Sequence, residues 1–457
     1  MQEGGSVKES TTQETLALVP ARAMQAGKEP IARERRVRWG WAEASVWTDR
    51  MLAALENGVK GGVWFSLIDK VYSRGNLWSA WSEVAANQGA AGVDEITIAH
   101  YEREVETNLS RLSEQLKLGK YQPKAIRRSY IPKADGSKRP LGIPTVQDRI
   151  VQAAIVHVIE PIFEKQFAAH SYGFRPGRGC RDALRRVQHL LQNGYRYVVD
   201  ADLKSYFDTI PHEKLMALVQ ERVADSRVLK LIEAFLEAKI MEGLSEWTPT
   251  AGAPQGAVLS PLLSNIYLDP LDHQMAAKGL EMVRYADDFV ILCRDSQEAE
   301  AALQAVQAWT AQAGLTLHPH KTRIADATTD AFEFLGYCFR QGRRWPRHKS
   351  MVKLRDAIRA KTRRNNGKSL PVIIADINRT TRGWFGYFKH SYKTTFPAID
   401  GWIRGRLRSI LRRRHGRRGK GRGSDHQRWP NAMFARLGYF SLKEAHVRAC
   451  QSMKVAH

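Results

Sequence analysis

The 457-residue chain has little cysteine: Cys180, Cys293, Cys338 and Cys450 are scattered and form no Cys-x-x-Cys pair, which excludes a disulfide framework and a cysteine zinc site. It also lacks long apolar runs. None would cross a bilayer, and the polar stretch Met1 to Gly27 has no signal-peptide core, so the expectation is a cytoplasmic protein without a membrane partner. Acids are scarce. With 71 Lys+Arg against 47 Asp+Glu the formal charge is +24 and the pI about 10.0, a balance that attracts polyanions. Arg404 to Arg422 contains no acid at all and could neutralise several phosphates, or else form a nonspecific basic tail. A chain of this length exceeds one simple core and suggests roughly two to four domains.

Against that basic background, the acidic tetrapeptide Tyr285-Ala286-Asp287-Asp288 stands out. The flanking runs Met282 to Tyr285 and Phe289 to Cys293 are short and rich in β-formers, so they read as two strands joined at a turn that carries the aspartates. Successive strand side chains face opposite ways, so the two cannot aim equally at one point, and Asp287 is expected to be the direct metal ligand. A second acidic strand end lies upstream, where a buried-strand pattern from Tyr195 ends in Asp200-Ala201-Asp202 and passes into Tyr206-Phe207. Carboxylates from two segments are what divalent cations need in order to clamp the attacking and leaving oxygens of a phosphoryl transfer. Asp200 shares a strand face with Asp202 and could be mistaken for the ligand. Asp94, Asp208 and Asp295 read as caps or turn residues.

Further blocks follow in order. Ile131 to Thr145 is a basic, Gly- and Pro-containing stretch, and Ser171 to Arg178 holds Gly173 and Gly177. Ala253 to Asn265 combines a glycine with the amide of Gln255; Gly314 to Thr322 contains Lys321, and Phe332 to Tyr337 contains Gly336. Thr145 and Asp148 form a capping box for a helix with Ile150, Val151, Ala154, Ile155, Val158, Ile159 and Ile162 on one face. Beyond about residue 341 strand signals fade, and apolar residues recur at helical steps between arginines, with Trp384 and Trp402 read as core.

Taken together and in this order, the blocks from about 75 to 412 resemble the reverse transcriptases encoded by bacterial group II introns. The resemblance implies an α/β right-hand polymerase, with fingers and palm, and an α-helical thumb or maturase domain. It divides the chain into a poorly ordered basic extension (1–42), a helical N-terminal and fingertip region (43–120), fingers and palm (121–340), a helical thumb (341–415) and a short basic C-terminal segment (416–457). The glycines of Asn87 to Asp94 would let the fingertip backbone approach the template, or that stretch is a plain loop.

Residue by residue, the resemblance implies that Asp202, Asp287 and Asp288, with the Leu203 carbonyl, hold two Mg2+ ions, for which Mn2+ is a possible substitute. Lys133 and Arg139 would meet the triphosphate of the dNTP, and Lys321 the leaving pyrophosphate. Phe207 would exclude a ribose 2′-hydroxyl, or else serve as ordinary core. Gln255 belongs to the nucleotide site. Gly336 and Tyr337 would grip the primer, and Arg404, Arg412, Arg413 and Arg414 would contact template or intron RNA. Implied partners are the group II intron RNA, an RNA template with a DNA or RNA primer, and dNTPs, in a ribonucleoprotein or at the nucleoid, with monomer and dimer both open. The chain ends soon after Leu411 without an HNH-type nuclease, so priming from an existing 3′ end is expected. The alternatives are a maturase acting mainly by RNA binding, and a domesticated enzyme of phage defence or CRISPR spacer acquisition.

Overall fold

The structure, a computed structural model, describes residues 34–455 except 133–135, 137, 418 and 422, and side chains as far as 451. The expected disorder before residue 34 lies outside the described residues, as does Lys133. The strands in chain order are β1 Ile126–Pro132, β2 Lys138–Ile143, β3 Tyr197–Asp202, β4 Ile240–Glu242 and β5 Ser245–Trp247. Then come β6 Glu281–Tyr285, β7 Asp288–Cys293, β8 Arg323–Asp326, β9 Phe332–Phe334, β10 Tyr337–Arg340 and β11 Arg343–Pro346. The chain divides into two compact units, each discontinuous in sequence.

The first unit comprises residues up to 166 with 216–249 and 256–259. Helix α1 (Arg74–Ala86) packs on α2 (Val146–Glu164), whose expected apolar face is entirely buried from Ile150 to Ile162. Thr145 caps α2 by accepting from the Asp148 amide at 3.1 Å, and the Asp148 carboxylate takes the Thr145 hydroxyl at 2.6 Å. A four-stranded sheet runs in the order β2-β1-β4-β5. The fingertip glycine Gly92 serves the protein itself: an added Cβ would lie 2.7 Å from Thr145 Cα, so the close approach is to the start of α2. The basic patch from Arg35 to Trp39 is likewise folded in, with Arg35 paired to Glu56 at 2.8 Å and Trp39 buried.

The second unit is built on an antiparallel sheet of order β6-β7-β3-β8. Helices α3 (Cys180–Gln192), α4 (Ser260–Ala277) and α5 (Ser296–Ala313) cover it. Strand β7 reads as a continuous apolar run because it lies inside the sheet: Phe289, Val290, Ile291 and Leu292 are fully buried, each contributing roughly 2 kcal/mol. This is the α/β palm that the resemblance implies. A three-stranded sheet β11-β10-β9 extends strand structure past residue 341, because Arg343 to Pro346 pairs back on β10.

Helices α6 (His348–Lys361), α7 (Leu370–Phe388), α8 (Thr395–Arg414) and α9 (Leu442–Val455) follow. They share a core of Ile373, Ile377, Phe396, Ile403, Leu407 and Phe434, among others. Trp384 and Trp402 pack against that core, as their helical spacing predicts. The N-terminus of α9 is fixed by Asp400, which accepts from the Leu442 and Lys443 amides at 3.1 and 2.9 Å.

Candidate active site

Strand pairing brings the two acidic segments together. In the register of β3 with β7, Asp202 stands opposite Asp288, and Asp200 opposite Val290. Strand β7 begins at Asp288, so the hairpin turn comprises Ala286 and Asp287, between the paired residues Tyr285 and Asp288. Ala286 has φ 59, at the first position of a two-residue turn, where glycine is usual. Asp287 therefore projects from the turn and Asp288 from the strand, which is the difference in aim that the sequence predicts.

The site is crowded with negative charge. Burial, then Asp200, Asp287 and Asp202, push the Asp288 carboxyl up to about 7, while a hydrogen bond from the Leu335 amide works the other way. Burial likewise raises Asp200 to about 6 against the pull of Arg323, with Asp202 adding to the rise. Asp200 is thus a fourth acid of the cluster.

The end of β3 is tied to the segment after α5, where His318 donates its amide to the Asp202 carbonyl at 2.7 Å and Lys204 donates to Thr316 at 2.8 Å. That segment delivers Lys321, whose Nζ lies 2.5 Å from Asp202 Oδ2. Among the described residues no three acidic, histidine or cysteine side chains form a preassembled metal cage. The donor set nevertheless fits a hard divalent cation. Its oxygens are carboxylates crowded by one another, and a small cation such as Mg2+ is commonly held by one or two carboxylates, with substrate phosphates and water filling its other positions.

Tyr206 and Phe207 differ in burial. Tyr206 is buried and donates to the Ser264 carbonyl at 2.8 Å, so it fills the core. Phe207 is half-buried, its ring 5.4 Å from that of Tyr206. Gln255 is also half-buried and follows Ala253, whose amide donates to the Phe207 carbonyl at 2.7 Å. Gly336 is at the β9–β10 turn with φ 80, and its carbonyl accepts from the Arg347 amide at 2.9 Å. Tyr337 is fully buried and donates to the Tyr387 carbonyl at 2.7 Å, so any grip on a primer comes from the turn and not from this ring. Arg139 is exposed on β2, in the first unit.

The arginine run needs correcting. Several of its members hold the fold together, Arg408 from a buried position, Arg412 from a half-buried one and Arg414 while still exposed. Arg408 is buried and donates to the Trp429 carbonyl at 3.0 Å, Arg412 pairs with buried Asp425 at 2.8 Å, and Arg414 donates to the Asn366 carbonyl at 3.2 Å. Arg404 is half-buried over the Tyr439 ring at 6.0 Å. Arg413 and Arg417 are exposed, and Arg418 and Arg422 lie outside the described residues. The reason is local: the end of α8 meets chain on two sides, and long arginines satisfy the carbonyls and the acid found there.

Sequence reasoning assigned no role to Arg284, Asp272 or Asn265, all buried beneath the hairpin. The available signal was an arginine inside an otherwise apolar strand.

Two family profiles match the chain. Residues 131–339 match "Reverse transcriptase (RNA-dependent DNA polymerase)", and residues 351–429 match "Group II intron, maturase-specific domain". Protein YkfC of Escherichia coli (strain K12) is 34% identical over 285 residues, covering 54% of this chain and 74% of that protein. The group II intron-encoded protein LtrA of Lactococcus lactis subsp. cremoris is 38% identical over 196 residues, covering 42% of this chain but only 32% of its own length. Among solved structures, a partial Cas6-RT-Cas1–Cas2 complex is 26% identical over 54% of this chain and 41% of that one, with a TM-score of 0.36, too loose to carry an argument. An acidic strand end and an acidic hairpin paired in register, within a reverse transcriptase match that is followed by a maturase match, place this chain in the family of reverse transcriptases encoded by group II introns.

Proposed function

We propose that the chain copies RNA into DNA by transferring deoxynucleotidyl groups to a primer 3′-hydroxyl at the Asp202–Asp287–Asp288 cluster, and that it binds the RNA of its own intron. The observation that carries this reading is the register that sets Asp202 opposite Asp288. In the reaction the primer 3′-oxygen bonds to the α-phosphorus, the bond to the bridging oxygen breaks, pyrophosphate leaves, and the hydroxyl proton passes to solvent. Two bound Mg2+ ions, or Mn2+ in their place, supply charge neutralisation on the attacking and leaving oxygens.

The chain's own residues do the positioning. Asp202 and Asp287 offer carboxylate oxygens from two segments, and the Leu203 carbonyl adds a third kind of oxygen. Asp288 completes the acidic cluster. Lys321 steadies Asp202 and offers a cation to the leaving pyrophosphate. Arg139, with Lys133, meets the triphosphate of the incoming dNTP. Phe207, half-buried, excludes a 2′-hydroxyl, and Gln255 belongs to the same nucleotide site. Gly336 and its turn contact the primer, and the Leu335 amide links that turn to Asp288. Arg413 contacts RNA phosphates, while Arg404, Arg412 and Arg414 shape the surface that does so.

The test combines both activities on the purified chain. Poly(A)/oligo(dT) should be extended with dTTP, and the cognate intron RNA should splice at lower Mg2+ when the protein is present. With Asp287→Ala, extension should be lost and splicing retained. A protein that promotes splicing but never extends a primer would favour the RNA-binding reading.

A further inference from the structure

We infer that Arg284, Asp272 and Asn265, together with Gly173, form a buried device that sets the geometry of the catalytic turn, which makes Arg284 and Asp272 positioning residues for Asp287. This rests on the reading of Asp287 as a working carboxylate of the site.

Arg284 is in β6 and is fully buried. An unpartnered guanidinium there would cost several kcal/mol, about what breaking a buried ion pair costs. All three of its nitrogens are used. Nε lies 2.8 and 2.9 Å from the two oxygens of Asp272, and Nη2 lies 2.5 Å from Asp272 Oδ2. Nη1 donates to Asn265 Oδ1 at 3.0 Å and to the carbonyl of Ala286 at 3.0 Å. Asn265 and Asp272 are about two turns apart on α4 and so lie on one face of it. The guanidinium is thereby fixed to a rigid helix and aimed at the backbone of the turn.

The other side of the turn is closed by Gly173. A Cβ at that position would stand 2.2 Å from the Ala286 nitrogen and 2.9 Å from the Tyr285 carbonyl carbon, so only glycine permits this approach. The Gly173 carbonyl accepts from Asn265 Nδ2 at 2.8 Å. One asparagine therefore refers both clamps to the same helix.

The device has something to hold. Ala286, at φ 59, is in the left-handed region, which is strained for a non-glycine residue. Left alone, the turn would relax toward a negative φ and swing the following residue, Asp287. Because Arg284 is wholly buried, it does not reach the reacting atoms, and its action passes through the Ala286 carbonyl. A network serving stability alone could be replaced by packed apolar groups. Here one donor, Arg284 Nη1, and one close glycine contact, Gly173, converge on the residue before the carboxylate.

The test uses the full chain and three single variants, Asp272→Asn, Arg284→Lys and Gly173→Ala. The last removes no buried charge. At temperatures where circular dichroism shows each variant folded, Mn2+ binding is followed by electron paramagnetic resonance, and dTTP incorporation on poly(A)/oligo(dT) is resolved into kcat and KM. The expected result is Mn2+ binding weakened by about 10-fold and kcat lowered by up to about 100-fold, with affinity for the template-primer unchanged. Adding Ala286→Gly to Asp272→Asn should recover much of the loss, since glycine accepts the positive φ. Folded variants with parental Mn2+ binding and kcat would overturn the proposal, as would losses that follow only the melting temperature and are not rescued by Ala286→Gly. Asp287→Ala separates the two readings. If it extends primers and binds Mn2+ like the parent, the role of Asp287 fails; if it is inactive while the network variants are normal, only the positioning role falls.

Discussion

The acidic hairpin and the arginine-rich helices are charged in opposite senses, and each shows the effect of like charges held close. At the hairpin, burial and three neighbouring acids push Asp288 up to about 7. At the end of α7, burial together with Arg344, Lys389, Arg185 and Arg181 pushes His390 down to about 4. The remedies differ. At the acids, Lys321 meets Asp202 at 2.5 Å and Arg323 lies 3.9 Å from Asp200, and Asp288 still has its carboxyl pushed up by its neighbours. The arginines, by contrast, are partly drawn into the fold: Arg408 and Arg412 bond to chain from buried and half-buried positions, Arg414 donates to a carbonyl while exposed, and Arg413 and Arg417 are exposed. A charge meant for an external partner can be recognised by what the fold does not neutralise.

The strongest way to break this contrast is to neutralise the acids. Asp202→Asn or Asp287→Asn should lower primer extension by about 1000-fold or more, since a carboxylate that would hold the divalent cations at the transferring phosphoryl is removed. The melting temperature should stay level or rise, because repulsion is relieved. A variant that still extends poly(A)/oligo(dT) efficiently would show that the cluster is not the site.

A smaller effect separates arginines within one run. Arg412→Ala breaks the ion pair with the buried Asp425 and should cost about 3 kcal/mol in urea unfolding. Arg413→Ala should leave stability within about 0.5 kcal/mol and instead reduce the slope of log affinity for RNA against log salt by about 0.7 to 0.9. Equal stability losses would erase the distinction drawn between them.

Phe207 carries no charge and is half-buried. Phe207→Ala should raise ribonucleotide incorporation relative to deoxynucleotide by about 10-fold, measured on one template at matched dNTP activity. Unchanged discrimination would make it core.

The mildest test is pH. His390 is neutral in the fold and takes up its proton at lower pH than in the unfolded chain, so its stability contribution is full above 6.5 and is lost as pH falls toward 4. For the cation-free protein, Asp288 gives the opposite trend: it binds its proton more tightly when folded, so stability falls as pH rises from 3.8 toward about 7. His390→Asn should flatten the acid side of a melting-temperature profile by about 1 kcal/mol, after allowance for its partial exposure. Mg2+ should stabilise more at pH 8 than at pH 5. A stabilisation by Mg2+ that did not change with pH would place the cation elsewhere.

Much of this was legible in the residues. The capping box at Thr145 and the buried face of α2 depend on neighbours three and four residues apart, and chain-local geometry determines those. The two strands around Asp287, and the alternation that aims it away from Asp288, are local in the same way. The order of the blocks carried the family resemblance, because each block keeps its own turn and strand chemistry wherever the rest of the chain goes.

Tertiary structure decided the rest, because it turned on partners distant in sequence. No spacing rule states that Asp202 stands opposite Asp288, since register across two strands follows from which faces the sheet buries. Whether an arginine serves RNA or the fold depends on what lies beside it in space, and Asp425 and the Asn366 carbonyl are brought to Arg412 and Arg414 only when the helices pack. Nothing local in the sequence marked Gly173 or Arg284 for the hairpin turn; packing put one against the Ala286 nitrogen and aimed the other at its carbonyl. Local sequence sets which groups are available; burial, which removes water as the alternative partner, decides which of them must meet.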